Sequence, residues 1–226
     1  MEVLFDHFAA AEAAGRAGHG FRRIELLETW TDVRPSARPR RDGAAPGYER
    51  WSGNGALGYL VLDAVVGAQL ADPPEPARLV VCDGTFPTGM LGYWVRRLAE
   101  GGLVAVLTAT SPRRLAHPSG GARLTGTNPL AIAIPSSTGR PLVADVSMGN
   151  LTYGDVLTGR AGDDDLRPFG GEQAHKAFAL AVGLQLLVDA LTPSDGHGAV
   201  LLVARPESDP VPGFRVLAEG VRLPGG

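Results

Sequence analysis

Residues 116–135 read AHPSGGARLTGTNPLAIAIP, a glycine-rich loop that runs directly into an apolar segment. The apolar residues at 130–134 and again at 142–146, on either side of a turn, predict the two strands of a hairpin. Glycines allow backbone N–H groups to approach a phosphate closely, and Thr127 and Asn128 can donate further hydrogen bonds. The loop therefore has the chemistry of a phosphate site, although an ordinary turn is the slightly favoured interpretation when the loop is considered alone.

Short helical and extended segments alternate on both sides of this loop and predict an α/β (α+β-like) chain. Further strands are predicted at residues 79–82, 103–108, 199–204 and 214–217. Helices are predicted at residues 2–17, 21–31, 56–71, 89–99 and 174–191. Loops are predicted at residues 34–50, where prolines and glycines interrupt any regular pattern, and at residues 154–167, which are polar.

The composition is that of a soluble globular protein. The chain has 226 residues, of which 44% are hydrophobic and 20% are charged, and its net charge is -3. This charge gives no reason to expect a nucleic-acid or membrane partner, and no apolar run reaches membrane-spanning length. The single cysteine, Cys82, excludes an internal disulfide and suits a reducing compartment. We therefore expect a cytoplasmic protein in which Cys82 is a buried structural thiol.

Residues 53–58, GNGALG, match the G-x-G-x-x-G pattern of dinucleotide-binding folds. That fingerprint requires a buried strand before it and a helix after it. The helix at 56–71 is predicted, but residues 46–51 are polar and rich in turn formers, so no strand is expected there. The segment is therefore interpreted as the start of the helix and a point of close approach to it.

His19 lies between two glycines, and Arg23 follows four residues later. A histidine can donate a proton near neutral pH, and an arginine four residues further on can share its helical face. The planar guanidinium of arginine can hold a carboxylate through two hydrogen bonds. The pair is therefore a candidate site for a 2-oxo or 2-imino acid, in which Arg23 binds the carboxylate and His19 protonates the reduced atom. An ordinary surface or core histidine is the alternative.

Asp145 lies within the predicted apolar strand at 142–146. A buried carboxylate needs a partner, and a histidine is a suitable one because the pair orients the ring and stabilises its protonated form. Whether that partner is His19 depends on the fold. The acidic run Asp163–Asp165 is interpreted as solvated loop, and the histidines show no zinc-ligand spacing.

Taken together and in order along the chain, these segments resemble the malate/L-lactate dehydrogenase family, whose nicotinamide-binding fold is not a Rossmann fold. The block at 116–135 carries the most specific similarity, through Pro118, Gly120, Gly121 and the run Gly126-Thr127-Asn128-Pro129. Weaker matches in the same order lie at residues 16–23, 52–58, 84–94, 166–180 and 220–224, with Asp145 and Lys176 at family positions.

The resemblance implies a NAD(P)H-dependent, dimeric oxidoreductase acting on small carboxylates such as 2-oxo, 2-hydroxy or cyclic 2-imino acids. It also implies that His19 and Asp145 form the proton-donating pair and that Arg23 binds the substrate carboxylate. The residues implied to lie near the cofactor are Gly120, Gly121, Gly126, Thr127, Asn128 and Lys176.

The fold implied by the resemblance is a mixed, mainly antiparallel sheet flanked by helices. On this basis the chain is divided into a cofactor-binding-like sheet domain at residues 77–165 and a helical, substrate-side domain. The second domain combines residues 1–76 with residues 166–226.

The sequence also departs from the family pattern. Pro87 stands where the family has a second histidine, Gly18 replaces the serine before His19, and the stretch between residues 149 and 166 is shortened. These departures leave three hypotheses open. The first is a reductase of a C=N or C=O bond next to a carboxylate, in specialised metabolism. The second is a non-redox isomerase, lyase or cyclase that uses His19 on a similar acid. The third is an inactive binding subunit, and in the last two NAD(P)H binding is lost.

Overall fold

The computed structural model describes residues 2–30, 34, 36–192 and 196–225. Residue 31 of the predicted second helix and residue 35 of the predicted loop lie outside them. The α helices are α1 (Glu2–Ala13), α2 (Arg23–Glu28), α3 (Gly58–Ala71), α4 (Leu91–Glu100), α5 (Tyr153–Leu157), α6 (Ala174–Leu191) and α7 (Val211–Leu217). The strands are β1 (Arg40–Ala45), β2 (Tyr48–Ser52), β3 (Ala77–Asp83), β4 (Val104–Ala109), β5 (Leu115–Ala116), β6 (Arg123–Thr125), β7 (Leu130–Ile134), β8 (Leu142–Val146) and β9 (Gly198–Ala204).

Seven strands form one sheet in the order β1-β2-β3-β9-β4-β7-β8. Only β2 and β3 run parallel, and every other neighbouring pair is antiparallel. The expected mixed, mainly antiparallel sheet flanked by helices is therefore confirmed. β5 and β6 form a separate two-stranded ladder beside the glycine-rich loop.

The main core lies between one face of this sheet and the helices α3 and α4. Four large side chains of α4 are buried in this core: Leu91, Trp94, Val95 and Leu98. They recur every three or four residues, which places them on one face of the helix. Burying each such side chain contributes roughly 1.5–3 kcal/mol to stability, and this packing fixes the position of the loop that precedes α4.

The opposite face of the sheet is partly covered by α6, which contacts β4 and β9. By length and composition alone, residues 171–191 could cross a membrane. However, Ala177, Ala181 and Val188 of α6 are buried within the protein, as expected for a helix that packs on a sheet.

The expectation of a loop at residues 34–50, with no strand before Gly53, is wrong. β1 and β2 form an antiparallel hairpin there, and Gly47 adopts the positive φ of +71° in its turn. β1 is entirely exposed, so it carries no apolar pattern. On β2 one of the two buried residues is Glu49, whose carboxylate accepts hydrogen bonds from Trp51 and Gln69. A buried charge of this kind hides a strand from hydrophobic periodicity.

Two further predictions are corrected. The predicted loop at 154–167 contains α5, which begins with a reciprocal capping interaction between Thr152 and Asp155. The predicted strand at 214–217 is part of α7, which begins beside Pro210. Its apolar residues Val216 and Leu217 are exposed, so they mark a surface helix rather than a buried strand.

The predicted close approach at residues 53–58 is confirmed. A Cβ atom at Gly58 would lie 2.5 Å from the carbonyl oxygen of Thr85, and one at Gly53 would collide with the carbonyl oxygen of Gly84. These glycines let the start of α3 lie directly on the loop after β3. The division into two domains remains a prediction; within the sheet, β9 from one predicted segment lies between β3 and β4 from the other.

Candidate active site

A cavity of about 360 Å³ opens between the short 3-10 turn Ala17–His19, the loop at residues 86–90 and α5. His19, Arg23 and Asp145 all line it. The fold therefore brings the three residues predicted to act on a substrate to one cavity, although they are distant in sequence. The volume lies within the range of small-molecule sites.

Arg23 is a buried cation in the wall of this cavity. Only 4% of the residue is exposed, and its Nε donates a 2.8 Å hydrogen bond to the carbonyl oxygen of Gly18. Across the described part of the chain, no carboxylate forms an ion pair with Arg23 and no hydrogen bond occupies its terminal Nη atoms. A buried charge without a partner is costly, so a ligand carboxylate at these atoms would be strongly favoured.

His19 is neutral at physiological pH. Its Nδ1 is buried and has no hydrogen-bond partner among the described residues. The pKa of His19 is lowered to about 3, chiefly by burial and also by the positive charge of Arg23 and by His7. The carboxylate of Asp155 acts in the opposite direction. In the ligand-free state His19 can therefore accept a proton or share a hydrogen bond, but it does not store a proton as imidazolium.

Asp145 lies at the same cavity but bonds elsewhere. Its Oδ2 accepts a 2.7 Å hydrogen bond from the backbone N–H of Gly92, in the first turn of α4. Burial raises the pKa of Asp145, and the hydrogen bond from Gly92 opposes this rise. Within the described residues, no hydrogen bond joins Asp145 to His19. His19 and Asp145, which were predicted to form a pair, thus line the same cavity without a hydrogen bond between them in the described structure.

Pro87, at the position of the family's second histidine, lines the cavity and follows a cis peptide bond from Phe86. Another histidine lies behind the same loop. His7 of α1 is fully buried, and its Nε2 accepts a 2.9 Å hydrogen bond from the backbone N–H of Met90. Burial lowers the pKa of His7 to about 4. No sequence pattern indicates that His7 lies here, because its position depends on how α1 packs.

The residues predicted to lie near a cofactor divide into two groups. Thr127 lines the cavity, and its hydroxyl lies 3.3 Å from that of Ser111. Gly126 and Asn128 are buried beside it. By contrast, Gly120, Gly121 and Lys176 are exposed and lie outside the cavity wall.

Asn128 has its hydrogen bonds satisfied by the protein. Its side-chain amide donates 3.0 Å bonds to the carbonyl oxygen of Ala181 and to Gln185, both on α6. Its Oδ1 accepts a 3.2 Å bond from the backbone N–H of Ser111. Asn128 therefore ties α6 to the loop before β7, and this structural use leaves it little capacity to bind a ligand.

Sequence reasoning missed several groups at the cavity. Arg16 adds a second cation, Phe86 and Tyr153 add aromatic surface, and Asp155 adds a carboxylate near His19. The pattern Thr152-x-x-Asp155, with the acid three residues after the threonine, is a helix-start signal that could have identified α5. Asp155 contacts the His19 turn because α5 packs against it, and no local sequence pattern indicates this packing.

Comparison with known proteins gave a match to one family model, described as malate/L-lactate dehydrogenase, over residues 1–167. No curated protein matched. Among solved structures, a dehydrogenase from Sinorhizobium meliloti is similar with a TM-score of 0.84 and 21% identity, over 99% of this chain and 81% of that one. The delta1-piperideine-2-carboxylate reductase from Pseudomonas syringae pvar. tomato has a TM-score of 0.82 and 23% identity, over 99% and 83%. The sulfolactate dehydrogenase from Methanocaldococcus jannaschii has a TM-score of 0.75 and 17% identity, over 96% and 75%. At these identities, the structural likeness establishes the fold.

Proposed function

Because the chain belongs to the malate/L-lactate dehydrogenase family, we propose that it reduces a C=N or C=O bond next to a carboxylate. The substrate class is a cyclic 2-imino acid or a 2-oxo acid, and the setting is specialised metabolism. The observation that carries this proposal is the buried guanidinium of Arg23, which has no carboxylate partner among the described residues and lies beside His19 in one small cavity.

Arg23 binds the substrate carboxylate in this proposal. Its Nε is held by the carbonyl oxygen of Gly18, which fixes the direction of the guanidinium plane. The terminal nitrogens can then donate two parallel hydrogen bonds to the two carboxylate oxygens. The protein has already desolvated this cation, so its interaction with a ligand carboxylate is stronger than a surface ion pair.

A cyclic imine suits this cavity better than a ketone. A protonated imine carries its proton into the site, whereas a ketone must receive one as its oxygen gains negative charge. His19 has a pKa of about 3 before a ligand binds, so it is a weak source of that proton. Asp145, whose pKa is raised by burial, is the second group at the cavity that can hold a proton or face a cationic nitrogen.

NAD(P)H, when bound, would supply the hydride. The cavity of about 360 Å³ accommodates a small acid beside a flat ring, and Thr127 and Ser111 offer hydroxyl groups at its wall. The exposed backbone of Gly120 and Gly121 has positive φ angles of +97° and +105°, with no heavy atom within 4 Å of either Cβ position. Thr127 and Ser111 fit the nicotinamide end, and Gly120 and Gly121 fit a phosphate-bearing portion together with Lys176. Gly126 and Asn128 hold the loop that carries Thr127.

A second function is favoured by one specific observation. A general base must be unprotonated before it acts, and His19 is neutral at pH 7. An isomerase, lyase or cyclase that removes a proton next to a carboxylate would use the same Arg23 contact without NAD(P)H. Pro87 in place of a second histidine is consistent with either function.

The test is binding of NADH and NADPH to the purified protein by calorimetry, followed by assays with delta1-piperideine-2-carboxylate and pyruvate. Micromolar binding, equivalent to about 8 kcal/mol, with turnover that is lost in Arg23→Gln is the expected result. The exposed Arg22 is the matched control, and Arg22→Gln should keep full activity. Absence of binding to either nucleotide would contradict the reductase. Turnover of an acid without nucleotide would favour the second function, and no His19-dependent turnover of any acid would leave an inactive binding subunit.

The remaining parts of the proposal follow the family resemblance. We propose a homodimer that acts in the cytoplasm on a small-molecule carboxylate, without nucleic-acid or membrane partners. Light scattering at micromolar protein concentration should give twice the chain mass of 23.5 kDa. A monomer at every concentration that supports activity would contradict the dimer.

A further inference from the structure

The helix α5 lies unusually close to the turn that carries His19, and two glycines make this approach possible. A Cβ atom at Gly18 would lie 2.8 Å from Oδ1 of Asp155 and 3.1 Å from its backbone nitrogen. A Cβ at Gly154 would collide with the carbonyl oxygen of Gly18. Any larger residue at position 18, such as the serine of the resembled family, would therefore push Asp155 away from His19.

The two oxygens of Asp155 have different surroundings. Oδ2 accepts hydrogen bonds from the backbone N–H and the hydroxyl of Thr152, at 3.0 and 2.8 Å. Oδ1 faces Gly18, and its nearest cation is Arg160, whose Nε is 3.7 Å away. One oxygen thus anchors the carboxylate to the start of α5, while the other remains directed at the turn that contains His19.

The charged groups around His19 come from every neighbouring element. Arg16 precedes its turn, Arg23 lies on α2, His7 lies on α1 and Asp155 lies on α5. The positive charges of Arg16 and Arg23 disfavour protonation of His19, and Asp155 alone among these groups favours it. Asp145 is not among the groups that shift the pKa of His19.

We propose that Asp155 is a positioning residue that orients His19 and stabilises its protonated form during turnover, the role that the resemblance gives to Asp145. A substrate carboxylate bound to Arg23 neutralises the charge that most strongly disfavours protonation of His19. The carboxylate of Asp155, which favours protonation, then becomes the main nearby charge acting on His19. Glycine in place of serine at position 18 then serves the function of the site, because it leaves space for the Asp155 carboxylate next to the His19 turn. The role of Asp155 in turnover rests on the proposed reduction, whereas its proposed effect on the orientation of the His19 ring does not.

The test compares Asp155→Asn with Asp145→Asn, which each remove one carboxylate charge at the same cavity. The first readout is the pair of ring ¹⁵N signals of His19 at pH 7, assigned by their loss in His19→Gln. The tautomer ratio of His19 should change in Asp155→Asn and stay the same in Asp145→Asn. This readout requires no activity, so it decides the inference even if the proposed reduction is absent.

The second readout is the pH profile of reduction. In Asp155→Asn, kcat at pH 7 should fall roughly tenfold with little change in KM, because the pH above which kcat decreases should move about one unit lower. Thr158→Ala is the structural control, because it removes a hydroxyl that donates to the carbonyl oxygen of Gly154 in α5 and does not bond to the Asp155 carboxylate. Unchanged His19 signals in Asp155→Asn, or the same change in Thr158→Ala, would overturn the inference.

Discussion

The backbone N–H of Gly92 donates a 2.7 Å hydrogen bond to Oδ2 of Asp145, which joins the first turn of α4 to the edge strand β8. A Cβ atom at position 92 would lie 2.9 Å from the same oxygen. The contact therefore requires glycine, and it holds the Asp145 carboxylate at the cavity in one orientation.

Gly92→Ala should destabilise the protein by roughly 1–3 kcal/mol, because Asp145 must move to make room. Gly67→Ala is the matched control, since Gly67 lies in α3 with no heavy atom within 4 Å of its Cβ position. The control should be neutral or stabilising by up to about 1 kcal/mol, as alanine is the better helix former. Urea unfolding measures both, and equal effects would argue against the close contact.

Arg23→Lys should raise KM for a carboxylate substrate roughly tenfold or more with a smaller effect on kcat. Lysine keeps the charge but lacks the planar fork that donates two hydrogen bonds. Initial-rate kinetics with wild type, Arg23→Lys and the exposed-site variant Arg22→Lys decide this. A wild-type KM in Arg23→Lys would mean that the carboxylate binds elsewhere.

The stability of the protein should fall as the pH is lowered from about 6.5 towards 4. His7 has a pKa of about 4 in the folded chain against 6.5 for an ordinary histidine, because it is buried. The unfolded chain therefore binds more protons over this range, and the contribution of His7 to stability is about 2 kcal/mol smaller at pH 5 than at pH 7. His19 acts in the same direction, since its pKa is also lowered.

His7→Gln should weaken this pH dependence, whereas the variant His175→Gln at an exposed site should keep that of the wild type. Unfolding free energies from urea titrations at pH 7 and pH 5 give the comparison. The same decrease in His7→Gln as in wild type would show that His7 is not the buried neutral group described above.

Asn128→Ala should destabilise the protein by roughly 2–4 kcal/mol, because it leaves the backbone N–H of Ser111 and the side chain of Gln185 without their partner. The loss should appear as faster hydrogen exchange in α6 and in the loop before β7. Lys176→Ala, at an exposed position of α6, is the control for stability. Full stability of Asn128→Ala would return Asn128 to the role of a cofactor contact.

The sequence was informative where burial and periodicity coincide. The helices α3, α4 and α6 and the hairpin of β7 and β8 were predicted because their apolar residues repeat at helical or extended spacing. The hairpin of β1 and β2 was not, since one strand is exposed and the other buries Glu49. At the site, the spacing of His19 and Arg23 and the apolar setting of Asp145 identified three residues that share a cavity. The position of Asp155 near the His19 turn could not be predicted. It depends on the close approach of α5 to Gly18, which is possible only because glycine has no side chain.

The position of β9 has a consequence for how the polypeptide reaches its native state. β9 lies between β3 and β4, which are neighbours in sequence but pair with β9 rather than with each other. During synthesis, neither β3 nor β4 can pair with β9 until residues 198–204 have left the ribosome. Such long-range pairing slows folding and leaves partly synthesised chains open to aggregation. Synthesis of residues 198–204 is therefore the event that permits the sheet to close.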